Sequence, residues 1–113
     1  MKTIIAGGRT VTDYNLLLDA IEASDFEITT VISGAANGAD RLGERFAKER
    51  DLPLMLFPAD WATHGKAAGP LRNAEMASVG EALIALWDGK SKGTRSMISE
   101  AKKAGLKVYT HRV

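Results

Sequence analysis

Five short apolar runs constrain the fold of this chain more than any other feature: residues 2–6 (KTIIA), 28–33 (ITTVIS), 53–57 (PLMLF), 82–87 (ALIALW) and 107–111 (KVYTH). Most are continuously apolar rather than alternating, which is how a strand covered on both faces reads. The segments between them carry helical spacing. Residues 13–23 set Leu16, Leu17, Ala20 and Ile21 on one side, with Thr12 or Asp13 as N-cap. Residues 38–50 hold Leu42 and Phe46 four apart, with charge opposite. Residues 70–79 begin on Pro70 in a first turn and stop before Gly80, and residues 94–104 align Met97, Ile98 and Ala101 before Gly105. Strands alternating with helices predict one Rossmann-like α/β domain over residues 1–113, a five-stranded parallel sheet of order 3-2-1-4-5 with helices on both faces. The connection 58–69 (PADWATHGKAAG) is too long for an ordinary βα loop and is a candidate lid or interface element.

Bulk properties narrow the chemistry. At 113 residues there is chain for one core, and 45% hydrophobic with 26% charged residues is a globular balance. A net charge of +1 is far from the balance of a dedicated nucleic-acid binder. Without cysteine there are no disulfides, thiolate metal sites or thiol nucleophiles, and two histidines, His64 and His111, are too few for a histidine-rich metal site. No cofactor is required by the sequence; magnesium on Asp or Glu oxygens enters only if the chain is a hydrolase. The N-terminal apolar run is too short for a signal peptide or membrane span, so a soluble, cytoplasmic protein is expected.

In open parallel sheets ligands bind beyond the carboxyl ends of the strands, where strand order reverses. Those ends read GGRT, SGAANGAD, PADW and DGKSKGT. Gly7, Gly8, Gly34, Gly38 and Gly93 let backbone approach a ligand, Arg9 supplies charge, and two helix starts would face the cleft, so an anion such as phosphate is the expected guest. Each piece has a plainer reading: the glycines as turn residues, Arg9 as a surface charge. The Walker pattern is excluded, because its first glycine would fall on Ile84.

The segments GGR, SGAANGADRLGERFA, FPADWATHGKAAGPLRNAEM and ALWDGKSKGTRSMISEAKKAGLKV together resemble the YspA/cpYpsA-related branch of the SLOG superfamily, over roughly residues 3–108. Two related groups share the skeleton. The DprA/Smf proteins have stretches like Ser33-Gly34, Arg72-Asn73 and Ser91 to Thr94; the Lonely Guy phosphoribohydrolases have a segment like Arg72 to Met76 and a phosphate loop ending in a catalytic glutamate. The resemblance implies a Rossmann-like pocket for a nucleotide or nucleotide-derived ligand. It matches Gly93 and Thr94 to the phosphate loop and Arg72 to the ligand-holding arginine. The glutamate position is Met97, which cannot transfer a proton, and Asn73 replaces a lysine.

Other acids are then candidates. Glu75 and Asp60 are weak catalytic candidates, Glu75 also reading as a helix-surface or ion-paired residue. Asp88 suits a ribose hydroxyl or a turn start, and Asp40 a ligand contact or a dipole-compensating acid. Trp61 could stack on a base or be buried by a partner subunit. Trp87 reads as core. His64 and Lys66 could contact a phosphate. The leading expectation is a sensor or sequestering domain for a nucleoside phosphate or ADP-ribose-like compound, in a homo-oligomer. The alternatives are cleavage of an N-glycosidic or phosphate bond, and DprA-like binding of single-stranded DNA. Against the last stands the lack of a basic, aromatic stripe; the cluster 90–95 (KSKGTR) with 101–107 (AKKAGLK) reads as a solvated face.

Overall fold

The strands β1 (Lys2–Gly7), β2 (Thr30–Ser33), β3 (Leu54–Leu56), β4 (Ala82–Trp87) and β5 (Lys107–Arg112) pair in parallel in the order β3-β2-β1-β4-β5. The structure, a computed structural model, describes all residues from Met1 to Val113. Helices α1 (Tyr14–Ser24), α2 (Ala39–Glu49), α3 (Trp61–His64), α4 (Ala68–Val79) and α5 (Lys92–Lys103) complete the element order.

The continuous apolarity of the central strands follows from their two covered faces. On one face Ile5, Ile84 and Leu86 pack with Leu17 and Ala20 of α1 and Leu42 and Phe46 of α2. On the other, Ile4, Leu83 and Ala85 meet Met76 and Ala77 of α4 and Met97, Ile98 and Ala101 of α5. Each fully buried Ile or Leu contributes about 1.5–3 kcal/mol relative to exposure, so the sheet is fixed by β1 and β4 at its centre. No helix is long and apolar enough to cross a membrane.

The helix ends follow local chemistry. The Asp13 carboxylate accepts from the Asn15 amide at 3.0 Å and caps α1, which closes on Asp25 in the left-handed region at φ 59°. The segment 58–69, a candidate lid or interface element from sequence, has regular structure: α3 and a 3-10 turn (Gly65–Ala67) occupy most of it, and α4 already begins at Ala68. A four-residue helix shows no apolar repeat. Its one sequence signal is Asp60, whose carboxylate accepts from the Thr63 amide at 3.1 Å as an N-cap. Likewise α5 starts at Lys92 behind the cap Ser91, two residues before the apolar spacing begins.

The chain runs outward from β1 through β2 to β3, then returns to the other side of β1 for β4 and β5. Connections therefore leave β1 and β4 in opposite directions. A crevice must open between the loops that follow those two strands.

Candidate functional site

That crevice holds a cavity of about 570 Å³, a volume suited to a small organic ligand. The β1–α1 loop contributes Gly7 to Thr10, the β2–α2 region Ala36 and Asp40, and the α3–α4 region Trp61, Gly69, Pro70, Arg72 and Asn73. Asp88, Ser91 to Thr94 and Ser96 come from the β4–α5 side, with Ala6, Met76 and Met97 completing the lining.

The β4–α5 turn is organised by its own side chains. Asp88 Oδ1 accepts from the Ser91 and Lys90 amides at 2.8 and 2.7 Å, and these two bonds, in that order, hold its carboxyl below the usual range. The Ser91 hydroxyl caps α5, accepting from the Thr94 amide at 3.4 Å and the Thr94 hydroxyl at 3.1 Å. The Trp87 indole N–H donates to the Ser91 carbonyl at 3.1 Å, so this half-buried ring tethers the cap as well as packing on the core. The amides of Lys92 and Gly93 are left without a protein acceptor at the cavity wall. A Cβ built on Gly93 would meet no atom within 4 Å, so the space above this helix start is open. Free N–H groups and the positive end of a helix favour an anion.

Arg72 extends this electropositive wall. Its Nε–H donates to Asn73 Oδ1 at 3.0 Å, and Nη1 donates to the Gly34 and Phe57 carbonyls at 2.5 and 3.5 Å. Its Nη2 has no protein acceptor. Burial pulls this guanidinium below its ordinary range; Asp40 opposes that effect, and Arg9 adds to it as a like charge. Asn73 ties the arginine to α5, since its Nδ2 donates to the Gly93 carbonyl at 3.4 Å and to Ser96 Oγ at 3.3 Å. Asn73 thus puts a buried bracket between the arginine and the helix start.

Asp40 is the one buried carboxylate here, 6% exposed. Its Oδ2 accepts from the Ala36 amide at 3.1 Å. Burial dominates its titration and pushes the carboxyl up to about 6, against the Ala36 bond and the charge of Arg72, and with the help of Glu44. It lies in the first turn of α2, where the Ala39 amide donates to the Gly8 carbonyl at 3.1 Å. Of the two helix starts expected at the cleft, that of α2 is thus partly taken up by the β1–α1 loop, whereas that of α5 presents two successive free amides.

Several expected contacts are placed elsewhere. Ser33 points into the interior, donating to Glu44 Oε2 at 2.7 Å. Gly34 lies beneath Arg72, where a Cβ would fall 2.5 Å from Nη1 and 2.9 Å from Asp40 Oδ2. Gly38, at φ 78°, has no room for a Cβ beside the backbone of Gly8 and Arg9, so it serves the interlocking of two loops and not an approach to ligand. Gly7 lines the cavity, yet the Leu86 carbonyl also requires a glycine there, since any Cβ would collide with it. His64 and Lys66 are exposed and away from the cavity lining. So are Asp60, engaged as a cap, and Glu75, on the outer side of α4 and in no ion pair. The spacing of three that puts Glu75 near Arg72 along the helix leaves it turned out of the cavity.

Residues missed by sequence reasoning include Thr10, Ala36, Lys92 and Ser96. Lys92 had a signal in its place directly after a serine N-cap; the others depend on which loops meet. Met97, 1% exposed, belongs to the core as well as the cavity. No three His, Asp or Glu side chains are grouped to hold a metal ion.

A parallel sheet of order β3-β2-β1-β4-β5 with a cleft at its strand reversal defines a Rossmann-like α/β domain. The chain belongs to the YspA, cpYpsA-related SLOG family, whose model matches residues 1–64. That match reaches from β1 into α3 and stops short of Arg72 and the β4–α5 turn. The Gene 61 protein of Mycobacterium phage D29 is 36% identical over 117 aligned positions, covering 95% of this chain and 93% of that protein. DNA processing protein A (DprA) from Streptococcus pneumoniae shares the fold with a TM-score of 0.75 at 16% identity. The likeness covers 96% of this chain and 49% of DprA, so the chain spans about half of that molecule.

Proposed function

We propose that this protein binds a phosphate-bearing, nucleotide-derived small molecule in the cavity between β1 and β4, and acts by sensing or sequestering it. The observation that carries this reading is the convergence of Arg9, Arg72, Lys92 and the unpartnered Lys92 and Gly93 amides on one cavity. Backbone amides at a helix start and a fork-shaped guanidinium are complementary to phosphate oxygens. Family membership and fold support a nucleotide as the carrier of that phosphate. Trp61, 51% exposed and lying against Gly69 at the cavity wall, offers a ring on which a base can stack.

Single-stranded DNA fits less well. The positive groups converge on one cavity instead of following a groove, and a net charge of +1 gives little long-range attraction. For hydrolysis, neither Asp60 nor Glu75 lines the cavity, and Met97 stands where the related enzymes have glutamate.

The test is thermal stabilisation by AMP, ADP, ADP-ribose, NAD and a short single-stranded DNA, on the native chain and on Arg72→Ala. A ligand at 100 times its dissociation constant adds about 2.7 kcal/mol of stability. A nucleotide that stabilises the native chain and not Arg72→Ala supports the reading, and chromatography of the recovered ligand separates binding from cleavage. Salt-sensitive stabilisation by DNA alone overturns it.

A further inference from the structure

We infer that the cavity selects its ligand at Asp40, which accepts the vicinal hydroxyls of a ribose carried next to the phosphate, so that ribosyl phosphates are preferred over their 2′-deoxy counterparts. The inference rests on the phosphate-binding reading above and names the chemistry of the ligand's next group.

Three observations carry it. First, Asp40 is almost wholly buried yet has one protein donor, the Ala36 amide on Oδ2. A carboxylate offers about four acceptor positions, and Oδ1 here receives no protein hydrogen bond. Water can serve these positions in the free cavity. A ligand that expels the water must bring donors of its own or leave a buried charge unsatisfied, which is costly.

Second, Asp40 stands in succession with the phosphate-binding groups. Asp40 and Arg72 flank Gly34, Arg72 is held by Asn73, and Asn73 reaches the Gly93 carbonyl in the first turn of α5. The order of groups is therefore helix amides, guanidinium, carboxylate. A ligand matching that order is anionic at one end, followed by neutral hydrogen-bond donors. A second phosphate beside Asp40 would face a like charge, and an apolar group would strand the carboxylate. A ribose with two adjacent hydroxyls supplies paired donors to a carboxylate.

Third, Asp88, the other acid of the lining, is exposed, and its Oδ1 already takes the Lys90 and Ser91 amides to build the turn. Water keeps access to an exposed carboxylate, so a ligand is under less demand to bring donors there than at buried Asp40, and the ribose-hydroxyl contact considered for Asp88 from sequence is assigned to Asp40.

The experiment measures, by calorimetry at pH 7.5, the affinities of AMP against 2′-deoxy-AMP and of ribose 5-phosphate against 2-deoxyribose 5-phosphate, on the native chain and on Asp40→Asn. The second pair tells whether the sugar phosphate alone is read or whether the base is also needed. The native chain is expected to favour AMP over its deoxy form by about tenfold or more, as a hydrogen bond to a charged group allows. Asp40→Asn is expected to narrow that ratio to less than about threefold while still binding 2′-deoxy-AMP. Equal affinities on the native chain overturn the inference even if the variant fails to fold. An undiminished ribose preference in a folded Asp40→Asn overturns it too. If 2′-deoxy-AMP and AMP bind equally but Arg72→Ala abolishes both, the phosphate reading stands and the ribose inference falls. If no nucleotide or sugar phosphate binds, both fall.

Discussion

Asp40 and Arg72 press on the same glycine from two sides: a Cβ on Gly34 would lie 2.9 Å from Asp40 Oδ2 and 2.5 Å from Arg72 Nη1. Opposite charges are thereby held close to one another at the cavity, and Arg72 Nη1 also donates to the Gly34 carbonyl. Neither partner can shift without moving the other's surroundings. Gly34→Ala should displace the guanidinium and lower the affinity for a phosphate ligand by about tenfold or more, the equivalent of about 1.4 kcal/mol. Overpacking at this spot should also cost about 1–3 kcal/mol of stability, read by urea unfolding.

The raised pKa of Asp40 has a definite sign for stability. The folded state binds the proton more tightly than the unfolded one, where the carboxyl titrates near its ordinary 3.8. Its contribution to stability is full below about 3.8 and is lost as pH rises through about 6. The ionised group is surrounded by Arg72, Arg41 and Glu44 and by the Ala36 amide, and burial outweighs them. Asp40→Asn should therefore stabilise the protein by up to about 3 kcal/mol at pH 7–8, on the scale of about 1.4 kcal/mol per pK unit. At pH 4 the gain should largely vanish. Thermal unfolding of both proteins across pH 4–8 checks this; a gain independent of pH would contradict it.

Two glycines should respond oppositely to alanine. Gly93 occupies the first turn of α5, and a Cβ there meets open space. Gly93→Ala should leave stability unchanged or raise it by up to about 1 kcal/mol through helix propensity. It should nevertheless weaken phosphate binding, because the methyl group enters the space above the free amides. Gly38 has φ 78° and ψ −126° and no room beside the Gly8 and Arg9 backbone. Gly38→Ala should cost about 2–5 kcal/mol from strain and overpacking together. Paired urea titrations and ligand calorimetry on both variants separate the two roles.

The cap of α5 offers a fourth test. Ser91 Oγ serves the Thr94 amide and hydroxyl, so Ser91→Ala should cost about 1 kcal/mol in thermal unfolding. Ser91→Asp, which restores a capping acceptor, should recover stability. It should not recover anion affinity, because it adds a negative charge at the helix start.

The fold was legible in the chain because its signals are local. Five apolar runs and four helical spacings give β1 to β5 and α1, α2, α4 and α5, and burial on two faces leaves the central strands few polar positions to confuse the reading. The helix α3 was hidden for the converse reason: four residues are too few to show a period. The components of the cavity at Arg9, Arg72, Asp88 and Gly93 were visible as strand-end or family-motif residues. Their division of labour was not.

Sequence determined which groups are available at the strand ends: glycines, two arginines, a serine cap and several acids. Tertiary structure decided which of them share one space. Gly38 looks like a ligand-binding glycine until the β1–α1 loop is packed on it, and Glu75 looks like a partner of Arg72 until α4 is turned against α5. Asp40 looks like an ordinary first-turn acid until α2 closes on β1 and buries it. Burial and direction are products of long-range packing between elements far apart in the chain. They carry no local pattern, and they decide whether a carboxylate caps a helix, lies on the surface or faces a cavity that can take a ligand's hydroxyls.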